Sequence, residues 1–141
     1  MRALFITSTR IGDAVLSTGI LGELIRTRPN ISVTIVCGPD AAPIFAEVPN
    51  LEKVHRLKKR FASLHWFDVW KECVRFRWDI IIDLRNSPVS RMLRTKSRYL
   101  LRGNDQSKHR VQQIGSVMGL VSPPSPRIWV SIRHERAAKR L

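Results

Sequence analysis

Apolar and polar positions along this chain follow two alternating rhythms. Ala3-Leu4-Phe5-Ile6-Thr7 is a short continuous apolar run, the pattern of a strand buried on both faces. Ser8-Thr9-Arg10-Ile11-Gly12 then reads as a tight polar turn, and from Asp13 the period becomes helical. Ala14, Leu21 and Ile25 line one stripe, with Ile20 and Leu24 beside it, and the helix runs to Arg26–Arg28, where basic side chains suit the negative end of the dipole. Pro29-Asn30 breaks it, and Val33 to Cys37 is a second buried strand. A strand–helix–strand unit of about 35 residues favours a right-handed parallel crossover.

The alternation continues. A short helix is expected from Ala42 to Val48, a partly exposed strand from Lys53 to Leu57, and a helix from His65 to Arg77 with Trp66, Val69, Trp70, Cys73 and Val74 on one side. Asp79-Ile80-Ile81-Ile82-Asp83-Leu84 is the clearest strand pattern in the chain. Beyond it the pattern predicts a helix near Pro88 to Leu93, a strand at Arg98 to Leu101 and a helix from His109 to Leu120. A proline-rich link follows (Val121 to Pro126), then a strand at Ile128 to Ile132 and a helix opening at Glu135. Strands that alternate with helices in this way predict an α/β fold, a Rossmann-like open parallel sheet with helices on both faces. The expected division is a domain over 1–121, with 122–141 leading toward a further domain. In such sheets ligands bind outside the carboxyl ends of the strands.

At 141 residues the chain has the length of one ordinary domain. Cys37 and Cys73 lack metal-ligand or redox spacing and read as buried thiols in a reducing compartment. No run approaches the ~18 apolar residues of a membrane span, and the start lacks a signal-peptide pattern, so a cytoplasmic location is expected. Charge changes the picture most. Lys and Arg total 25 against 11 Asp and Glu, a formal net charge of +14, which attracts phosphate-bearing partners or simply solvates the surface. A nucleic-acid-binding module is one reading of that charge, but no helix-turn-helix, RNP or zinc pattern supports it.

Candidate chemistry clusters at three strand ends: Arg10, Gly12 and Asp13 after the first, Lys58, Lys59 and Arg60 after the third, and Arg85, Asn86 and Ser87 after the fourth. Gly12 suits a sharp turn, and amides at the helix start favour an anion. Asp13 is open to two readings, an N-cap or a general base. The loop is neither a dinucleotide G-x-G-x-x-G nor a Walker A motif, so no nucleotide cofactor is expected, nor any metal. Trp66 and Trp70, four apart, read as core more than as a sugar-stacking platform, and His109 as a substrate contact or an ordinary cap.

Arg10-Ile11-Gly12-Asp13-Ala14-Val15-Leu16, directly after the first strand, resembles the R-x-G-D motif that opens glycosyltransferase family 9, which includes the lipopolysaccharide heptosyltransferases. Asp79 to Ser87 is similar to that family's D-x-x-x-D-L-R-x-S stretch, and Lys108-His109-Arg110-Val111 with the helix to Gly119-Leu120 resembles its next segment. The three motifs fall in the family's order and span nearly the whole chain. Gly19 departs from the proline that many members carry in the first helix. The resemblance implies the N-terminal, acceptor-binding half of a two-domain GT-B-type inverting enzyme, without the donor-binding half and so inactive alone. It makes Asp13 the general base and Arg10, Gly12, Lys59, Arg60, Arg85, Asn86 and His109 acceptor contacts. It implies as partners an acidic lipopolysaccharide-core glycolipid, a nucleotide-sugar held by the second domain, and peripheral contact with an anionic membrane. The expected location is the cytoplasmic face of the inner membrane. A non-catalytic acceptor-binding protein is the other reading within this class. The eight basic residues between Arg85 and Arg110, against the single acid Asp105, fit an acidic acceptor.

Overall fold

A computed structural model describes residues 1–7, 10–57, 64–85 and 87–100. The expected helix at 109–120, the link and the terminal strand and helix, and with them the proposed unit 122–141, lie outside the described residues. Within them, five strands form one sheet: β1 (Arg2–Ile6), β2 (Ser32–Cys37), β3 (Leu51–Arg56), β4 (Trp78–Asp83) and β5 (Thr95–Leu100). Every pairing is parallel, in the order β3-β2-β1-β4-β5. The predicted α/β fold is the observed one. Strand boundaries agree with the hydrophobic pattern to within a residue or two except at β5, which begins three residues earlier at Thr95.

The helices are α1 (Ile11–Thr27), α2 (Leu64–Cys73) and α3 (Pro88–Met92). The sheet's two faces bury different side chains because successive strand residues point to opposite sides. Ala3, Phe5, Val33, Ile35, Ile80 and Ile82 pack with Ala14, Ile20, Leu21 and Leu24 of α1. Leu4, Ile6, Val36 and Ile81 face the other way, onto Val69 and Cys73 of α2 and Val89 of α3. Two covered faces explain why β1, β2 and β4 lack the polar alternation of a half-exposed strand.

Local differences have local causes. Residues 42–45 form a 3-10 turn instead of the expected helix to Val48, because Pro43 and Pro49 bracket too short a stretch for a stable α-helix. α2 ends at Cys73, not Arg77: the Phe76 amide bonds back to the Cys73 carbonyl at 3.2 Å, and the Trp78 indole N–H donates to the same oxygen at 3.1 Å. Val74, placed on the apolar side by periodicity, is therefore exposed beyond the helix end. Both cysteines are buried and free, as their surroundings in the sequence imply.

Candidate active site at the β1/β4 switch point

Strand order reverses direction at β1. The chain leaves β1 through α1 toward β2 and β3, then returns to lay β4 on the other side of β1. The connections diverge there, which opens a crevice at the carboxyl ends of β1 and β4. Arg10, Gly12 and Asp13 follow β1, and Arg85 follows β4. The edge beneath them is tied by backbone bonds: the Leu84 amide to the Ile6 carbonyl and the Thr7 amide to the Val36 carbonyl, both 2.9 Å. The fold thus brings two of the three predicted clusters to one edge. Lys58, Lys59, Arg60, Asn86 and His109 lie outside the described residues.

Two readings of the first loop change. α1 starts at Ile11, and its N-cap is Arg10, in extended conformation with no side-chain capping bond. Asp13 is therefore not the cap. It is a half-exposed carboxylate in the first helical turn, where an anion suits the positive end of the dipole. Gly12, expected at a sharp turn, also lies inside that helical turn, and a Cβ added to it meets no atom of the described residues within 4 Å. Packing among the described residues does not require glycine there. Gly12→Ala should accordingly leave the melting temperature unchanged or raise it slightly, since alanine is the better helix former by about 1 kcal/mol. If an acceptor anion closes on the amides of this turn, the same methyl group should weaken acceptor binding about tenfold. Thermal unfolding and calorimetric titration separate the two effects, and unchanged binding would show that the ligand stays clear of this turn.

Buried polar groups set the position of α1. The Thr7 and Ser17 hydroxyls share a 2.7 Å hydrogen bond, and Ser17 Oγ donates to the Ala14 carbonyl at 2.6 Å. Both residues are fully buried. Ser17 stands one turn after Asp13, so this bond anchors the first turns of the helix to the end of β1. Sequence reading missed the pair; the visible signal was a serine four residues after Asp13 inside an apolar stripe.

Asp83 organises the second loop. It pairs with Ile6 at the end of β1 and is wholly buried. Its Oδ1 accepts the Arg85 amide at 2.8 Å, and its Oδ2 accepts both the Ser87 amide and the Ser87 hydroxyl at 2.7 Å. Its known contacts face inward, so it holds the loop rather than offering a base to the crevice. Asp79, the other acid of the motif, lies at the opposite edge. There it accepts the Arg2 amide at 2.8 Å and pairs with Lys96 at 3.3 Å. Those partners, the amide first, hold its carboxyl below the usual range.

Arg85 is exposed, with its guanidinium carbon 5.3 Å from the centre of the Trp66 ring. Partial desolvation draws its pKa down and the Asp83 charge opposes this, yet a guanidinium remains cationic at neutral pH. Trp66 is thus not simply core: it is half-buried, packs on α2's side of the sheet and supports Arg85. The basic stretch after Arg85 does not act as one surface, because Lys96 serves Asp79 and Arg98 donates to the Leu93 carbonyl at 2.7 Å. Burial pushes both thiols up to about 11, so neither is a thiolate nucleophile at neutral pH. Among the described residues no cluster of three or more His, Cys, Asp or Glu could hold a metal ion.

No protein-family model and no curated protein matches the sequence. Solved structures match it in fold. The glycosyl transferase family 9 from Veillonella parvula superposes with a TM-score of 0.74 at 17% identity, over 99% of this chain and 48% of that one. The Escherichia coli heptosyltransferase WaaC with ADP gives 0.66 at 15% identity, over 91% of this chain and 50% of that one. The same enzyme with ADP-2-deoxy-2-fluoro heptose gives 0.64 at 16%, over 90% and 51%. The chain spans about half the length of each. What these likenesses establish is the architecture: this chain has the fold of one half of a family 9 glycosyltransferase.

Proposed function

We propose that the chain is the acceptor-binding half of a heptosyltransferase-like inverting glycosyltransferase. The observation that carries this reading is that Asp13 and Arg85 follow neighbouring strands at one switch point, on a fold shared with glycosyltransferases. Asp13 takes the proton from an acceptor hydroxyl as that oxygen attacks the anomeric carbon of a nucleotide-sugar. The bond to the diphosphate breaks on the opposite side, and the nucleoside diphosphate leaves as an anion. One carboxylate suffices for inversion, because the leaving group needs charge stabilisation rather than a second protonating acid. WaaC is seen with ADP and an ADP-heptose analogue; here the donor belongs to a second, nucleotide-binding half. Arg85, and outside the described residues Lys59, Arg60, Asn86 and His109, bind the acidic groups of a lipopolysaccharide-core acceptor. The enzyme works at the cytoplasmic face of the inner membrane. No helix among the described residues is long and apolar enough to cross a membrane.

A binding comparison tests the reading. A phosphorylated inner-core oligosaccharide should bind this chain more tightly than duplex DNA of equal charge at 0.15 M salt, and Arg85→Gln should weaken the first several-fold. Tighter binding to DNA, with a steep salt dependence and no effect of Arg85→Gln, overturns it in favour of a nucleic-acid module.

A further inference from the structure

The first turn of α1, which carries Asp13, lacks the usual devices that hold a helix start. Its N-cap, Arg10, makes no side-chain capping bond, and Gly12 inside the turn is a poor helix former. Helix ends without caps fray, and a frayed turn would take the Asp13 carboxylate with it. Here the sheet supplies the restraint. Ser17 gives its one hydroxyl proton to the Ala14 carbonyl at 2.6 Å. In the 2.7 Å bond between the two hydroxyls, Thr7 is therefore the donor and Ser17 the acceptor.

This hydroxyl bridge runs from the end of β1 to the backbone of Ala14, the residue next to Asp13. Both of its ends are fixed. The Thr7 amide donates to the Val36 carbonyl of β2 at 2.9 Å, and the Ala14 amide donates to the Arg10 carbonyl at 3.0 Å. Thr7, Ala14 and Ser17 are all buried, so water does not compete for these bonds. Two apolar residues in place of the hydroxyls would press the helix on the sheet without direction, whereas hydrogen bonds of this length fix its rotation and its height along β1. We propose that Thr7 and Ser17 are positioning residues: their bridge sets where the Asp13 carboxylate stands relative to the end of β1, and so its reach to the acceptor hydroxyl. The inference rests on the general-base reading of Asp13.

Two substitutions at one position test it. Thr7→Val keeps the shape of the side chain and removes its hydroxyl; Ser17 retains its bond to Ala14, so no buried donor is stranded and the fold should survive. Thr7→Ser keeps the hydroxyl and loses a methyl group. In the full chain, amide hydrogen exchange at Ala14 should quicken about tenfold relative to Leu21 in Thr7→Val and hold the parental ratio in Thr7→Ser. With a donor-binding half joined, Thr7→Val should lower kcat about tenfold with little change in the acceptor KM, because small misplacements of a reacting group act on the transition state. Thr7→Ser should keep the parental kcat even where it melts lower, an order that a merely structural role would not produce. On an Asp13→Asn background, Thr7→Val should slow transfer no further, since the bridge acts only through that carboxylate. An unchanged exchange ratio or kcat in Thr7→Val, equal kcat losses in the two variants, or a full further loss on the Asp13→Asn background overturns the proposal and leaves the general base standing. A parental kcat in Asp13→Asn itself removes the base, and the proposal with it.

Discussion

Joined to a donor-binding half, this chain carrying Asp13→Asn should transfer sugar about 10²–10⁴-fold more slowly than its parent, the usual contribution of a positioned general base. An amide cannot take the acceptor proton, but it fits the same space. Asp13 is half-exposed in the first turn of α1, not its cap, so the substitution weakens a favourable charge–dipole contact worth about 0.3–1 kcal/mol. Melting temperature should hardly move. The loss should fall on kcat with little change in the acceptor KM, because the proton is transferred only in the transition state. Steady-state kinetics with purified acceptor and nucleotide-sugar measure this, and a near-parental kcat removes Asp13 from the mechanism.

Asp83→Ala should act on folding and on the acceptor loop together. Removing the carboxylate strands three donors at a wholly buried position: the Arg85 amide, the Ser87 amide and the Ser87 hydroxyl. Leaving such groups unsatisfied costs about 3–5 kcal/mol, a drop in melting temperature of roughly 10–20 °C for a domain of this size. Asp83→Asn separates the roles. Its amide oxygen can keep both Ser87 bonds, which places its NH2 against the Arg85 amide, donor facing donor. The expected result is a smaller loss of stability with a raised acceptor KM, because the loop carrying Arg85 loosens while α3 stays anchored. Calorimetry and kinetics on the two variants check this. If Asn matches the parent in KM, Asp83 does not position Arg85.

The placement of segments 10–13 and 83–87 at the carboxyl ends of strands was legible because the alternation of strands and helices put each at a strand-to-helix passage. Their members' roles were not. Asp13 and Asp83 are each acids at a strand-to-helix passage, and nothing local separates them. One stands half-exposed in a helical turn, while the other is enclosed by its own loop. The N-cap reading of Asp13 failed because the extended residue before the helix is Arg10, and backbone conformation rather than residue type sets where a helix starts. Trp66 read as core from its spacing, yet Arg85, nineteen positions later, lies over its ring.

Hydrophobic rhythm alone was enough to determine the α/β class, the parallel sheet and which strands are buried on both faces. Those properties follow from periodicity within a few residues and from burial of apolar surface. Tertiary structure decided which carboxylate is enclosed by its own loop and which basic side chains serve the chain's own groups. Each of these depends on pairings between distant residues, such as Ile6 with Asp83 or Arg2 with Asp79. Whether a polar group finds its partner inside the protein depends on what the fold lays beside it, which its own neighbours in the chain do not encode.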